Sequence, residues 1–496
     1  MNYPILTAEE AVRLIKNGDT IGIGGFSSVG TPKVIPAALA EYAKEQHSAG
    51  KEYKIGLVTG GATGPQIDTD LVKADAITFR TPFQSNTDMR GAINSGKIQY
   101  FDCHLSMIGQ DVAYGFLDKI DVAIVEASEI TPEGNLILST SVGISPTLVS
   151  KADKILIELN AAHSGKLTGM HDIYLPEMPP YRKPFMITHP GDRIGTIDVK
   201  IDPKKVLGVV KTDIRDNMAG FKPLDDDTRR IGAHVSNFLV SELKRGGIPK
   251  EFLPLQSGVG NIANAVIGAL GDNPDVPAFS MFTEVIQNSV MDLIMKGRCN
   301  YVTGSSLSLT EDALNMMYDH MDVFGKRVLL RSQEITNHPE CIRRLGIIAL
   351  NTALEADIFG NVNSTHVLGT KMMNGIGGSA DFARNAFLSI FTTPSVAKGG
   401  MISSIVPMVT HTDSSEHSVR VLVTEQGVAD LRGKSPSQRA RLIIENCAHP
   451  DYKQLLWDYL RLSEGKGLHT PHSLQNAFRM HLEFAQSGDM RNTKFV

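Results

Sequence analysis

The sequence predicts an α/β chain made of two tandem, structurally similar open α/β halves. Three observations carry that expectation. "AEEAVRLIKNGDTIGIGGFSSVGTPKVIPAALAEYA" reads helix, Gly-Asp turn, strand, glycine loop, helix, and "VSNFLVSELKRGGIPKEFLPLQSGVGNIANAVIGAL" reads the same way much later. "DVAIVEASEITPEGNLILSTSVG" and "IIALNTALEADIFGNVNSTHVLG" share an apolar strand, an acidic turn, a Gly-Asn pair and a segment rich in Ser and Thr; Gly134-Asn135 and Gly360-Asn361 lie 226 residues apart (360 − 134), close to half of the 496-residue chain. Strands alternate with helical patterns throughout both halves.

Bulk properties narrow the class. A chain this long exceeds one ordinary hydrophobic core, so two domains of similar size are expected. Hydrophobic residues make up 42% and charged residues 21%, and the formal net charge of −5 speaks against a nucleic-acid binder led by global charge. Cys103, Cys299, Cys341 and Cys447 are scattered without CxxC or zinc spacing and read as buried free thiols. The N-terminus lacks the apolar stretch of a signal peptide, and no apolar run approaches the roughly 18 residues of a membrane span. The expectation is a soluble, cytoplasmic protein with neither membrane nor nucleic acid as partner.

Along the chain, Thr7 to Glu10 forms a capping-box pattern opening an amphipathic helix. A strand follows and ends in the glycine loop "GIGGFSSVGTPK" (22–33). "LVTGGATGPQ" takes a second strand into Gly60 and Gly61. "LPEMPPYRKPF" (175–185) holds four prolines and reads as a surface loop. "KTDIRDNMAGFKPLDDDTRR" (211–230) is polar and lacks sustained apolar periodicity, which sets a first domain at 1–215, a linker at 216–230 and a second domain at 231–496. The second domain opens its chemistry with "SGVGNIANA" (257–265). "MFTEVIQNSVMDLI" (281–294) then places Glu284 between a short apolar run and a helix. An ordinary acid of a helix first turn would satisfy that context. The repeat instead aligns it with the end of "LVTGGATGPQ", where open α/β sheets carry their chemistry. A third glycine loop, "NGIGGSADFARNAF" (374–387), contains Ser379 and Asp381 as helix-start residues.

Backbone N–H groups at loop-to-helix junctions stabilise phosphate or a developing oxyanion. Neither "GIGGFS" nor "GVGNIA" completes GxGxxG with its distal acid, so a dinucleotide site is poorly supported. No HxxxH, HExxH or GxSxG is present, although His411 and His417 flank "TDSSE"; a metal centre and a serine-hydrolase elbow are not expected.

"LPLQSGVGNIANAV", "TEVIQ", "MMNGIGGSADFARNAFLSIF" and "VTEQGVADLRGKSPSQRAR", in this order and at these spacings, closely resemble the acetyl-CoA hydrolase/transferase family among the class I CoA-transferases. "GGF" at 24–26, "TGGATGPQ" at 59–66 and "NVNST" at 361–365 extend the likeness over almost the whole chain. Within that family the nearest look is to succinyl-CoA:acetate CoA-transferases. Two departures are small: Thr283 stands where many relatives carry serine, and Ala380 where glycine is common.

The resemblance implies a CoA-transferase fold with the active site between the two domains, a homodimer, coenzyme A as substrate and no tightly bound cofactor or metal. It implies exchange of CoA between short-chain acyl-CoA (succinyl-CoA, acetyl-CoA) and a carboxylate (acetate, succinate) by a ping-pong route through a glutamyl-CoA thioester on Glu284. Backbone N–H groups of Val259 and Gly378 are then the oxyanion donors, and Asn337 of "TNHPE" binds the other carbonyl oxygen. Asn337 alone also reads as a helix cap before Pro339. Glu425 of "VTEQG" is paired with Arg215, either as a carboxylate-orienting constellation or as a domain-linking salt bridge. CoA contacts carried over are Gly258, Val259, Gly260, Asn261 and Ile262, then Asn374 and Gly378, with Lys398 as the phosphate-side cation. Alternatives within the same scaffold are propionyl-CoA:succinate or butyryl-CoA:acetate exchange and acetyl-CoA hydrolysis; outside catalysis, the alternative is a module that senses small molecules.

Overall fold

A computed structural model describes residues 3–216, 218, 220, 223–464 and 467–496. The capping box is present: Thr7 Oγ1 accepts the Glu10 N–H and Glu10 accepts the Thr7 N–H, opening the helix Ala8–Val12. The chain then alternates strand and helix as the hydrophobic pattern requires. Two compact units result, one of Met1–Gly220, Ser280–Leu345 and Asn374–Asp381, the other of Phe221–Phe279, Gly346–Met373 and Phe382–Val496.

In the first unit an eight-stranded sheet is built from β1 (Thr20–Ile23), β2 (Ile55–Thr59), β3 (Ile77–Thr81), β4 (Gln99–Tyr100), β5 (Val122–Ile130), β6 (Leu136–Leu138), β7 (Lys154–Asn160) and β8 (Val206–Thr212). Its order is β4-β3-β2-β1-β5-β7-β8, all parallel, with β6 antiparallel to β5. Neighbouring residues of one strand enter different cores. Leu57 and Ile124 pack with Leu39 and Ala43, whereas Val58 and Ala123 pack with Ile108 and Leu148. Helices therefore cover both faces, as parallel sheets require. The order reverses between β1 and β5, so the loops leaving their C-terminal ends open a crevice.

The same unit holds residues 280–282 of the strand Phe279–Phe282, then Cys299–Gly304, Val328–Arg331 and His171–Asp172, neighbours in that order. The second unit has its own run, Gly427–Asp430, Val421–Thr424, Leu388–Thr392, Ile348–Thr352 and Leu255–Ser257, parallel except at the first pair. Its core gathers Phe391, Leu422, Ile443, Tyr452 and Tyr459.

The repeat survives at atomic detail. Gly134 N–H bonds Thr131 O at 2.9 Å and Gly360 N–H bonds Asp357 O at 3.0 Å; the two glycines have φ of 95° and 94°. Both turns need the left-handed region, which glycine adopts without a Cβ penalty.

The compact units do not follow the boundaries read from the sequence, because residues 280–345 and 374–381 belong with the first. The bonds that hold them there are specific. Val142 N–H meets Ser305 O at 2.9 Å, Leu307 N–H meets Thr140 O at 2.8 Å, and Leu330-Arg331 pairs in parallel with His171-Asp172. Glu284 is thus grouped with the first compact unit. Of the predicted linker 216–230, residues 217, 219, 221 and 222 lie outside the described residues. The prolines of 175–185 keep that segment free of helix and strand. Three cysteines are buried as expected, but Cys103 is partly exposed.

Candidate active site

Glu284 does not start a helix. The strand Phe279–Phe282 ends just before it, a short strand Val285–Gln287 follows, and the helix begins only at Asn288. Its backbone is pinned, since Glu284 O accepts the N–H of Ser305 at 2.7 Å and of Ser306 at 3.2 Å. The parallel pairing of Val285 with Ser306 continues that hold.

The side chain stays partly exposed and accepts a short hydrogen bond from Asn337 Nδ2. No Lys or Arg pairs with it among the described residues. Burial pushes its carboxyl up to about 7; the Asn337 bond pulls the other way, and the charge of Asp381 adds to the rise. An acid in the first turn of an exposed helix would show none of this.

Asn337 comes off the C-terminal end of Val328–Arg331 by way of the short helix Gln333–Thr336, and it closes that helix rather than opening the next. Four bonds fix this helix. Gln333 N–H meets Gly143 O at 3.1 Å, Gln333 Nε2 donates to Gly60 O at 2.8 Å and to Leu105 O at 2.9 Å, and Glu334 accepts from Thr147 Oγ1 at 2.7 Å. A Cβ on Gly109 would collide with Glu334, so the helix Leu105–Tyr114 approaches as closely as glycine permits. The Asn337 amide is held at both ends: Thr336 Oγ1 donates to its Oδ1 at 2.9 Å, while Nδ2 faces Glu284 and, at 3.4 Å, Asp381 Oδ2.

Gly378 lies against both. A Cβ there would overlap Glu284 Oε1 and Asn337 Nδ2. Its loop is tied to residues 100–106 by Tyr100 Oη on Asn374 O (3.0 Å), Ile376 N–H on Asp102 (2.8 Å), and Ser106 N–H and Oγ on Asp381 (3.0 and 2.6 Å). Asn374 Oδ1 is buried and has no protein partner among the described residues. Ala380 lies in the helix Ser379–Asn385, where alanine is at ease. Beside Glu284, the side chains of Phe26, Leu105 and Val285 form one apolar cluster with Phe83 packed on it.

The remaining predicted residues lie each within its own unit. In the second unit, Gly258, Val259 and Gly260 follow the C-terminal end of Leu255–Ser257, and Asn261 and Ile262 open the helix Asn261–Asp272. Val259 is 50% exposed, and Gly260 caps the helix with φ +117°. Lys398 is exposed with φ +49°, its Nζ 5.0 Å from the Phe484 ring. Glu425 is buried after Val421–Thr424 and accepts from Ser395 N–H (2.8 Å), Ser395 Oγ and Gln426 Nε2 (2.9 Å). Burial alone would raise its carboxyl, but these hydrogen bonds outweigh it and hold the group below its ordinary value. Arg215, in the first unit, donates to Asn315 and lies 3.7 Å from Glu311.

Glu284, Asn337 and Gly378 come together; Asp381 and Ser106 complete the cluster unannounced. Asp381 was legible only as a helix starter, and Ser106 carried no motif. Among the described residues no group of three or more His, Cys, Asp or Glu could hold a metal ion, and no helix is long and apolar enough to cross a membrane.

The acetyl-CoA hydrolase/transferase N-terminal domain matches residues 2–211, and the corresponding C-terminal domain matches 314–460. A propanoyl-CoA:succinate CoA transferase of Escherichia coli (strain K12) is 48% identical over 98% of this chain and 98% of its own length. A succinyl-CoA:acetate CoA-transferase of Clostridium kluyveri is 46% identical over 98% and 90%. An acetyl-CoA hydrolase of Candida glabrata is 44% identical over 98% and 95%. Among solved structures, RipA from Yersinia pestis superposes with a TM-score of 0.68 at 21% identity, covering 92% of this chain and 96% of that one, a likeness of fold.

Proposed function

The chain belongs to the acetyl-CoA hydrolase/transferase family, and from that premise we propose that it moves CoA between short-chain acyl-CoA and carboxylates with Glu284 as the covalent carrier. Succinyl-CoA and acetyl-CoA are the proposed donors, acetate and succinate the proposed acceptors. The observation that carries this reading is the setting of Glu284: a partly exposed carboxylate, shielded enough to be basic, with an amide rather than a cation as its hydrogen-bond donor. A carboxylate neutralised by Lys or Arg would be a weaker nucleophile.

The chemistry balances without an external proton. A Glu284 oxygen adds to the acyl carbonyl carbon and the CoA thiolate leaves, giving a mixed acyl-glutamyl anhydride. The thiolate adds to the glutamyl carbonyl and the original acyl group departs as its carboxylate, leaving glutamyl-CoA. A second carboxylate runs both steps in reverse. One thioester replaces another, so the exchange is close to energy-neutral. Each tetrahedral intermediate carries an oxyanion. Asn337 Nδ2 and the N–H groups of Gly378 and Val259 are the proposed donors, each of the kind whose loss costs about 10²–10³ in rate. We assign CoA to Gly258–Ile262, Asn374, Gly378 and Lys398, and Glu425 and Arg215 to orienting roles. A cytoplasmic homodimer completes the proposal.

Incubation with acyl-CoA followed by borohydride or hydroxylamine should modify Glu284, as read by peptide mass spectrometry. An adduct on another side chain, or full activity in Glu284→Ala, overturns the assignment. Hydrolysis is the second reading, favoured by the hydrolase relative; CoA release at the same rate without an acceptor carboxylate would make it the main activity. An acceptor panel of acetate, propionate, butyrate and succinate then ranks the substrates.

A further inference from the structure

Asn337 has one amide nitrogen and one amide oxygen, and two acids converge on the nitrogen. Glu284 Oε1 takes one hydrogen, and Asp381 Oδ2 stands 3.4 Å from the same nitrogen, placed to take the other. Rotating the amide by half a turn would set its oxygen against two carboxylates and break the 2.9 Å bond from Thr336 Oγ1. Asp381 is itself fixed. Both its oxygens are used by Ser106, Oδ2 by the backbone N–H at 3.0 Å and Oδ1 by the hydroxyl at 2.6 Å, in the first turn of the ten-residue helix Leu105–Tyr114. It is 5% exposed, and none of these contacts belongs to the proposed carrier chemistry.

We propose that Asp381 is a positioning residue: it keeps the Asn337 amide hydrogens turned toward Glu284, and its negative charge, one amide away, makes Glu284 more basic and hence more nucleophilic. This rests on Glu284 being the nucleophile.

Electrostatics runs the same way. A like charge nearby disfavours ionisation of a carboxyl, and Asp381 contributes to the rise at Glu284 after burial. The other groups facing this corner are few. His104 Nδ1 is 3.9 Å from Asp381 Oδ1, Cys103 feels the same charge, and Asp102 is occupied by the Ile376 N–H. Ser106 serves as the spacer that keeps the charge in place.

The test is the pH profile of kcat/KM for acyl-CoA from pH 5 to 9, with the Glu284 adduct quantified by mass spectrometry at each point. Asp381→Asn should still form the adduct, but with its acid limb lower by about half to one pH unit and its plateau down about tenfold or more. Asp381→Glu should return the limb toward wild type while kcat stays low. Ser106→Ala keeps the charge, so its limb should stay in place while kcat falls by several-fold with KM little changed. An unmoved limb in Asp381→Asn overturns the proposal. If that variant does not fold, wild-type kcat in Ser106→Ala overturns it. Absence of the Glu284 adduct from the wild-type enzyme is a different failure, that of the nucleophile assignment.

Discussion

Gly378 and Glu284 compete for the same space: a Cβ on the glycine would overlap the carboxylate oxygen Oε1. Gly378 does not have positive φ, unlike its neighbour Gly377 at +63°, so backbone strain does not demand glycine there. The carboxylate does. Gly378→Ala should therefore fold with near-normal stability yet lose on the order of 10²-fold in kcat, since a shift of about 1 Å in a reacting group costs that much. Gly377→Ala should act through the loop instead and lower thermal stability. Steady-state kinetics alongside thermal melts of both variants checks the contrast.

Asn337→Asp preserves shape and reverses function. The replacement offers an acceptor where Glu284 and Asp381 both need a donor, so three carboxyls crowd one corner. Activity should fall by about 10²–10³, and the acid limb of the pH profile should move above the wild-type position because like charges disfavour ionisation of Glu284. A limb that moves down, or stays, would show that Asn337 is not the donor that matters.

How much of this was legible in the sequence depends on the distance between partners. The Thr7–Glu10 box and the Gly134 and Gly360 turns each span four residues; local chemistry decides them. Glu284, Asn337 and Gly378 were found through motif likeness, because spacing alone could not bring positions 284, 337 and 378 together. The bonds from Ser106 to Asp381 cross 275 residues of chain, and neither residue type is unusual where it stands. Asp381 at a helix start satisfies every local rule, which hid its second role. The strand Val285–Gln287 is three residues long, too short for a period-2 signal to separate it from the helix that follows. The interleaving of 280–345 with the N-terminal unit is likewise a long-range choice, made by bonds such as Val142 to Ser305.

A buried charge cluster in the first unit should dominate its stability. Lys33 Nζ lies 2.5 Å from Glu126 and 2.9 Å from Asp216, all three side chains nearly inaccessible. Asp216 also accepts the Gly30 N–H at 3.1 Å, tying the glycine loop to the segment after β8. Lys33→Met would strand two buried carboxylates, and removing one partner of such a group costs about 3–5 kcal/mol. Burial already pushes Glu126 up to about 7, with Lys33 opposing the rise. Without the lysine Glu126 binds a proton more readily in the folded than in the unfolded chain. The loss in Lys33→Met should therefore be larger at pH 8 than at pH 6, as urea titrations at the two pH values would show.

Glu284 itself links activity to pH and stability in opposite senses. The nucleophile is the ionised form, so kcat/KM should rise with pH through about 7, well above the range in which an ordinary Glu would titrate. For folding, the raised value means that the native state holds a proton between about 4.5 and 7 that the unfolded chain releases, so stability from this group is present at low pH and lost as pH rises through 7. Replacing it by the neutral isostere removes that loss. Glu284→Gln should be inactive in adduct formation yet melt higher than wild type at pH 8, by roughly 1–3 °C, and at nearly the same temperature as wild type at about pH 4, below the ordinary Glu value. Equal melting at both pH values would mean that the carboxylate is not held in a shielded, unfavourable setting, and with it the physical reason for its nucleophilicity would go.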